Sequence, residues 1–194
     1  YQNASNISAR IQLHNKYSTN TQGWFPWIFD HCHMEEHSTV LEIGCGDGSL
    51  WLENKEKIPK QLHVVLSDIS EGMLRDTRRA IHANVKTARF DFQVFDCERI
   101  PYPDNSFDLI IANHILFYCK NLTSVFEEIS RVLKTGGTFV CSTYGSAHMK
   151  EINELVSDFD DRIVLSADRL FERFGKENGS DLLAPYFQNI KWLS

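Results

Sequence analysis

The sequence has no apolar run long enough to cross a bilayer, so it offers no helical membrane span. Its first residues lack the charged-then-apolar pattern of a secretory leader. Positive charge is not in excess. The formal net charge is −6 and no basic tract stands out, which argues against a nucleic-acid partner. Metal motifs are also missing. His31, Cys32, His33, Glu35, Glu36 and His37 carry suitable atoms, and His33 and His37 could share a helical face. There is no CxxC, no HExxH and no second ligand pair at zinc spacing, so this stretch reads as a solvated helix end and no metal is expected. Cysteine is scarce and odd in number. Cys32, Cys45, Cys97, Cys119 and Cys141 are scattered, mostly inside apolar runs, which suits reduced thiols in a cytoplasmic protein rather than a disulfide framework. There is no repeat and no low-complexity linker.

What is present is organised around Thr39-Val40-Leu41-Glu42-Ile43-Gly44-Cys45-Gly46-Asp47-Gly48-Ser49-Leu50-Trp51, in which Trp51 is given no role of its own. Val40, Leu41 and Ile43 form an apolar run, as expected of a strand buried on both faces of a parallel sheet. Gly44, Gly46 and Gly48 follow at alternate positions. Without a Cβ, glycine lets the chain turn sharply and lie flat against a ligand. Helix-like sequence resumes at Ser49. A strand, a glycine turn and a helix start together predict a nucleotide-binding corner.

The 194 residues allow one domain with a substantial core. Before the first strand, Ile7, Ile11 and Leu13 are compatible with one helical face. Trp24, Phe25, Trp27, Ile28 and Phe29 form an aromatic cluster around Pro26. This segment is expected either to cap the core or to act as a lid over the ligand, with Tyr17 and Trp24 facing it. After Ser49 a helix is expected to run to about Lys57, before Pro59. Leu62, Val64, Val65 and Leu66 predict a second strand ending at Asp68, and Ser70 a helix cap. Met73, Leu74, Thr77, Ala80 and Ile81 supply the inward stripe of that helix.

A third strand is expected at Phe90, Phe92, Val94 and Phe95, and a fourth from Phe107 to Ala112. Asn121 caps the next helix, with Gly136 as its C-terminal glycine. Thr138 to Ser142 predict a fifth strand, and Met149 to Phe159 another helix. Alternating strands and helices predict an α/β fold: a Rossmann-like, doubly wound, mostly parallel sheet with helices on both faces. Ligands bind beyond the C-terminal strand ends of such sheets, where Asp68, Asp96, Asn113 and the glycine turn should converge.

The chemistry of those residues narrows the ligand. Asp68, twenty positions after Gly48, can accept hydrogen bonds from a ribose diol. Asp96 can accept from an exocyclic amine, while Ile69 and Cys97 offer apolar contacts to an adenine. The glycine pattern is GxGxG rather than GxGxxG, and Glu42 precedes it. A carboxylate there repels a pyrophosphate and tolerates a cation.

Val40 to Gly48 resembles the first motif of class I S-adenosylmethionine-dependent methyltransferases. The resemblance extends through Ser67-Asp68-Ile69-Ser70-Glu71-Gly72-Met73-Leu74, Asp96 to Pro101, Pro103 to Ile110 and Arg131 to Gly137, roughly residues 38 to 143. Lys16-Tyr17-Ser18 through Trp24, and Phe174 to Gly179, look like a subgroup of bacterial small-molecule methyltransferases. The resemblance implies S-adenosyl-L-methionine as cofactor. Gly44, Cys45, Gly46 and Gly48 would hold its amino-acid part, with Glu42 near the ammonium. Asp68 would bind the ribose hydroxyls, Ile69 and Met73 would line the adenine, and Asp96 and Cys97 would meet its edge. Asn113 and Tyr17 would lie near the methionine end. His114 is the candidate general base, and Trp24, Tyr118 and His148 candidate acceptor contacts.

Two departures from the family pattern stand out. Many relatives have a histidine where this chain has Tyr118. The usual sheet also adds a sixth strand and an antiparallel seventh; here Phe187 to Leu193 is expected to form the sixth, and the last is missing. The expected organisation is an N-terminal helical lid, 1–37, and a cofactor-binding α/β domain, 38–194, truncated at its C-terminal end. The implied reaction is in-line methyl transfer to a small-molecule acceptor, with neither nucleic acid nor membrane as partner. The chain lacks the Asn/Asp-Pro-Pro-Tyr signature of methylation on base and amide nitrogens. The alternatives are a non-catalytic module that binds the same cofactor and a nicotinamide-dependent oxidoreductase. The sequence names neither the acceptor nor the oligomeric state.

Overall fold

A computed structural model describes residues 16–160, 162 and 169–193. Among these, five strands form one parallel sheet in the order β3-β2-β1-β4-β5. The strands are β1 (Thr39–Ile43), β2 (His63–Asp68), β3 (Arg89–Val94), β4 (Phe107–Asn113) and β5 (Leu133–Ser142). The helices are α1 (Trp24–His31), α2 (Ser49–Leu52), α3 (Glu71–Asn84), α4 (Leu122–Val132), α5 (Lys150–Phe159) and α6 (Gly179–Leu183). The expected helical face at Ile7, Ile11 and Leu13 lies outside the described residues.

Alternation along each strand divides the core between the two faces of the sheet. Val40, Val64, Leu66, Leu109 and Ile111 join one cluster with Ile28, Phe29, Trp51, Leu74 and Ile81. Leu41, Ile43, Val65, Ile110 and Ala112 join the other with Val125, Phe126, Ile129, Phe174 and Leu183. The first cluster packs under α1, α2 and α3; the second packs under α4 and α6. Strand order reverses at β1, which pairs with both β2 and β4. That places a crevice at the C-terminal end of β1. The expected caps are both present. Ser70 Oγ accepts from Met73 N at 3.3 Å, and Asn121 Oδ1 from Ser124 N at 3.2 Å.

Three local expectations are corrected. The helix after Ser49 stops at Leu52, not near Lys57. Asn54 Nδ2 donates to Leu50 O at 2.8 Å, taking the carbonyl that its own backbone N–H would use in a continuing helix. Gly136 does not follow a helix end directly, since α4 ends at Val132 and β5 begins at Leu133. Gly136 instead lies at φ 81° in the irregular start of β5, where pairing jumps from Phe107–Leu133 to Leu109–Thr138. Phe187 to Leu193 is not a strand among the described residues. Asn189, at φ 56°, interrupts extension. Phe187 instead packs its ring against Phe139, 5.0 Å between centroids, and Trp192 Nε1 donates to Ser180 Oγ at 2.6 Å. β5 is therefore an edge of the described sheet.

The segment before β1 divides its work within one helix. Ile28 and Phe29 are buried, and Phe29 meets the Trp51 ring edge-on at 6.0 Å. Trp24, one turn earlier, is exposed. Phe29→Ala should therefore cost about 3 kcal/mol, the usual loss for a large buried ring. Trp24→Ala should cost under about 1 kcal/mol. Urea unfolding of both variants checks this, and equal losses would mean that α1 is not divided.

Candidate functional site

The glycine turn leaves β1 with Gly44, Gly46 and Gly48 all at positive φ. A Cβ on Gly44 would stand 2.4 Å from Ile115 Cγ2, and one on Gly48 2.8 Å from Thr77 Cγ2. A Cβ on Gly46 would meet nothing within 4 Å. Gly44 and Gly48 are thus demanded by packing, whereas Gly46 borders open space. Its amide donates to Asp68 Oδ2 at 3.2 Å, and its carbonyl accepts from Thr77 Oγ1 at 2.5 Å. Cys45, buried, donates its amide to Ser67 O at 2.9 Å. Parallel register brings the ends of β1 and β2 side by side, with Ile43 opposite Ser67.

Asp68 also accepts from Ser70 N at 2.8 Å, so its carboxylate is fixed by backbone groups on both sides. Ile69 follows it at 72 % exposure, an apolar side chain held out at the crevice. Met73 is buried one turn into α3. Asp96, exposed, accepts from Glu98 N at 3.0 Å just after β3, and Cys97 beside it is buried. The loop that follows is anchored by Arg131. Its guanidinium donates to the carbonyls of Ile100 and Tyr102 and pairs with Asp104 and Glu128.

Glu42 is only 2 % exposed, on the same face of β1 as Val40. Trp51 Nε1 donates to its Oε2 at 2.6 Å. Burial pushes the Glu42 carboxyl up to about 8; the Trp51 hydrogen bond opposes this, while Asp47 and Asp68 add to it. Without a nearby cation, Glu42 therefore carries a proton at neutral pH.

The far side of the crevice is aromatic. Trp24 Nε1 donates to Asn113 Oδ1 at 3.3 Å, and its ring lies 4.9 Å from His114. Asn113 Oδ1 also accepts from Ser142 Oγ at 2.5 Å, and that oxygen accepts from His114 N at 3.0 Å. This chain ties α1, β4 and β5 together. His114 stands at φ 55°. Burial pulls its imidazole down to about 4, helped by His148, so it is neutral at physiological pH. From His114 the rings continue through Phe117 at 6.1 Å, Tyr144 at 5.2 Å from Phe117, and His148 at 4.9 Å from Tyr144. Tyr118 packs on Phe117 and is exposed. An open depression of about 500 Å³ adjoins this row, lined by Tyr144, Gly145, Ala147, His148, Lys176 and Glu177.

The structure therefore brings together the glycine turn, Glu42, Asp68, Asn113, His114 and Trp24 at the strand ends. Tyr17 is 67 % exposed, with the Lys16 ammonium 5.3 Å above its ring, and no described contact carries it to the crevice. The sequence reading missed Trp51, Phe117, Ser142 and Tyr144. Trp51 was legible in principle, as the first large side chain in a helix beginning beside a buried glutamate.

Comparison with known proteins gives a consistent picture. Residues 41–141 match a family described as a methyltransferase domain. The demethylmenaquinone methyltransferase of Symbiobacterium thermophilum is 30 % identical over 118 residues, 61 % of this chain and 47 % of that protein. The malonyl-[acyl-carrier protein] O-methyltransferase of Nitrosospira multiformis is 29 % identical over 135 residues, 63 % and 44 % of the two chains. The chain spans about half the length of the curated relatives it matches. Among solved structures, a SAM-dependent methyltransferase from Aquifex aeolicus aligns with a TM-score of 0.65 over 92 % of this chain and 86 % of that one. At 16 % identity it speaks to the fold.

The Glu42 carboxyl gives a signed expectation. Its folded pKa lies above the ordinary 4.5, so the native state holds a proton that the unfolded chain releases. The associated stability is fully present below about pH 4.5 and is lost as pH rises through about 8, by up to about 1.4 kcal/mol per unit. Glu42→Gln keeps an acceptor for Trp51 and removes the titration. Thermal melts from pH 5 to 8 should show the wild type losing stability relative to the variant. Parallel curves would mean that Glu42 is ionised throughout.

Proposed function

This chain belongs to the class I S-adenosylmethionine-dependent methyltransferases, and from that premise we propose that it methylates a small, flat, largely apolar acceptor. The acceptor class rests on the row of rings beyond the strand ends, and cofactor binding on Gly46, whose Cβ position borders open space while its amide is held by the carboxylate at the end of the next strand. A backbone surface bared there fits an extended ligand lying along the turn. When bound, the cofactor supplies a methyl group activated by its sulfonium.

The residues of the chain do the rest. Gly44 to Gly48 cradle the amino-acid part, and Asp68 accepts from the ribose hydroxyls. Ile69 and Met73 lie along the adenine, and Asp96 with Cys97 meets its edge. Glu42 would lie nearest the ammonium and, with its proton lost to solvent, would serve as its buried counter-ion. His114, held neutral, accepts a hydrogen bond from the acceptor without setting a second positive charge beside a sulfonium. A weakly basic imidazole of this kind serves an acceptor that is already nucleophilic, such as an enolate-like carbon or a phenolate that has lost its proton to solvent before transfer.

Trp24 and Tyr118 supply acceptor contacts, and the row through Tyr144 to His148 extends that wall. Rings disposed in this way favour a planar partner. The relatives named for demethylmenaquinone and for ubiquinone/menaquinone biosynthesis point to the same class of acceptor. The helix before the sheet, through Trp24 against Asn113 and His114, covers this end of the crevice and limits water. We place the protein in the cytoplasm, where free thiols such as its five are the ordinary state, with neither nucleic acid nor membrane as partner. No helix among the described residues is long and apolar enough to cross a membrane.

Asp68→Ala should weaken S-adenosylmethionine by roughly 1.5–3 kcal/mol, about ten- to a hundredfold. Gly46→Val should abolish binding, because a branched side chain then stands where the ligand lies. Calorimetry, with melting curves confirming folding, measures both. Unchanged affinity in the two variants would overturn the site. Incubation with labelled cofactor and a panel of quinols and phenols tests transfer; tight cofactor binding with no transfer to any of them would overturn the proposed acceptor class and favour a non-catalytic binding module.

A further inference from the structure

We propose that Cys97 and Cys119 form a reversible disulfide that sets the affinity of the cofactor site, the regulatory half of this resting on the cofactor reading above. Their sulfurs lie 3.5 Å apart, in direct contact. Cys97 follows Asp96 in the loop after β3; Cys119 ends the short 3-10 turn Leu116–Tyr118 that leads from β4 to α4. These two loops are already docked on each other. Glu98 Oε1 accepts from Lys120 N at 3.2 Å and Asn121 N at 3.0 Å, so residues on either side of the sulfur contact are held in register. A disulfide bond is about 2.0 Å long, so the bond closes a gap of roughly 1.5 Å between two loops that already touch.

The two thiols are unequal in the way exchange requires. Cys119 is partly exposed, and the hydrogen bond from Cys97 favours its thiolate against burial and the nearby Asp96 and Glu98. The same contact, followed by burial, holds the Cys97 proton more tightly. Cys32, Cys45 and Cys141 are raised by burial, which leaves them poor nucleophiles. Cys119 therefore attacks first. With a low-molecular-weight disulfide as oxidant, the Cys119 thiolate displaces one thiolate and forms a mixed disulfide. Cys97 then gives up its proton, attacks the Cys119 sulfur and displaces the second thiolate. Two protein thiols are oxidised to one bond, and the oxidant is reduced to two thiols. The consequence falls on the adenine edge, because Cys97 is drawn toward Cys119 and carries its neighbour Asp96 with it.

The test treats the 194-residue protein with oxidised glutathione. Peptide mapping should show a Cys97–Cys119 link, reversed by dithiothreitol. Calorimetry should show S-adenosylmethionine bound at least tenfold more weakly after oxidation and restored on reduction. Cys119→Ser should bind as the reduced wild type does and lose the response to oxidant. Glutathione retained on Cys119 alone, or no link at all, would overturn the bond. A mapped link with unchanged affinity would overturn its regulatory role. If the reduced protein fails to bind the cofactor, the cofactor reading falls and takes the regulatory role with it, while a mapped link still supports the bond.

Discussion

The passage of the glycine turn between Ile115 and Thr77 is the constraint on which the site depends. Ile115 follows β4 and Thr77 lies on α3, which follows β2. Neither Gly44 nor Gly48 has room for a methyl group against these neighbours. The turn can therefore sit at the reversal of strand order only if both positions lack a side chain. Once it sits there, Thr77 bonds the Gly46 carbonyl and Asp68 bonds its amide, from two successive segments of the chain. The ends of β1, β2 and β4 are thus fixed relative to one another by a five-residue turn. The three glycines are not equivalent: two satisfy the packing of the fold, and the middle one bares backbone to the crevice.

Much of this was legible because it is local. The apolar runs of β1, β2 and β4, the caps at Ser70 and Asn121, and the stripe of α3 are all written within a few consecutive residues. What failed depends on competition between distant or side-chain groups. The helix after Ser49 was overextended because its end is decided by the Asn54 amide taking the Leu50 carbonyl, which periodicity does not encode. Phe187 to Leu193 has strand-like composition, yet the Phe187 ring packs against Phe126 and Phe139 instead of the segment pairing beside β5. In the site, Asp68 and Glu42 were visible by position along the motifs. The row from His114 to His148 was not, because it joins the ends of two strands and becomes continuous only when β4 and β5 pair in their observed register.

The electrostatics of the crevice separate two ligand classes that use similar sheets. Glu42, Asp47 and Asp68 lie close enough for the last two to raise the first. A pyrophosphate entering this group would add negative charge to an acidic cluster. A ligand bearing an ammonium and a sulfonium relieves it instead. The buried Glu42 keeps its proton more readily than an ordinary carboxyl, and the Trp51 N–H, donating to its Oε2, is the group that opposes this. The acidic cluster argues against a nicotinamide cofactor on physical grounds independent of the family match.

The aromatic wall connects stability to chemistry through one helix. The buried end of α1, at Ile28 and Phe29, is part of the core, so the helix cannot leave without opening that core. Its exposed end places Trp24 against Asn113 and His114, beyond the strand ends. One helix is thus anchored in the core at one end and reaches the strand ends at the other. The strained φ at His114 fits the same anchoring: its amide is bound by Ser142, its ring is packed by Trp24, and the imidazole is held at the crevice from both sides. The rings at this end of the sheet therefore stand on residues that the core already holds in place.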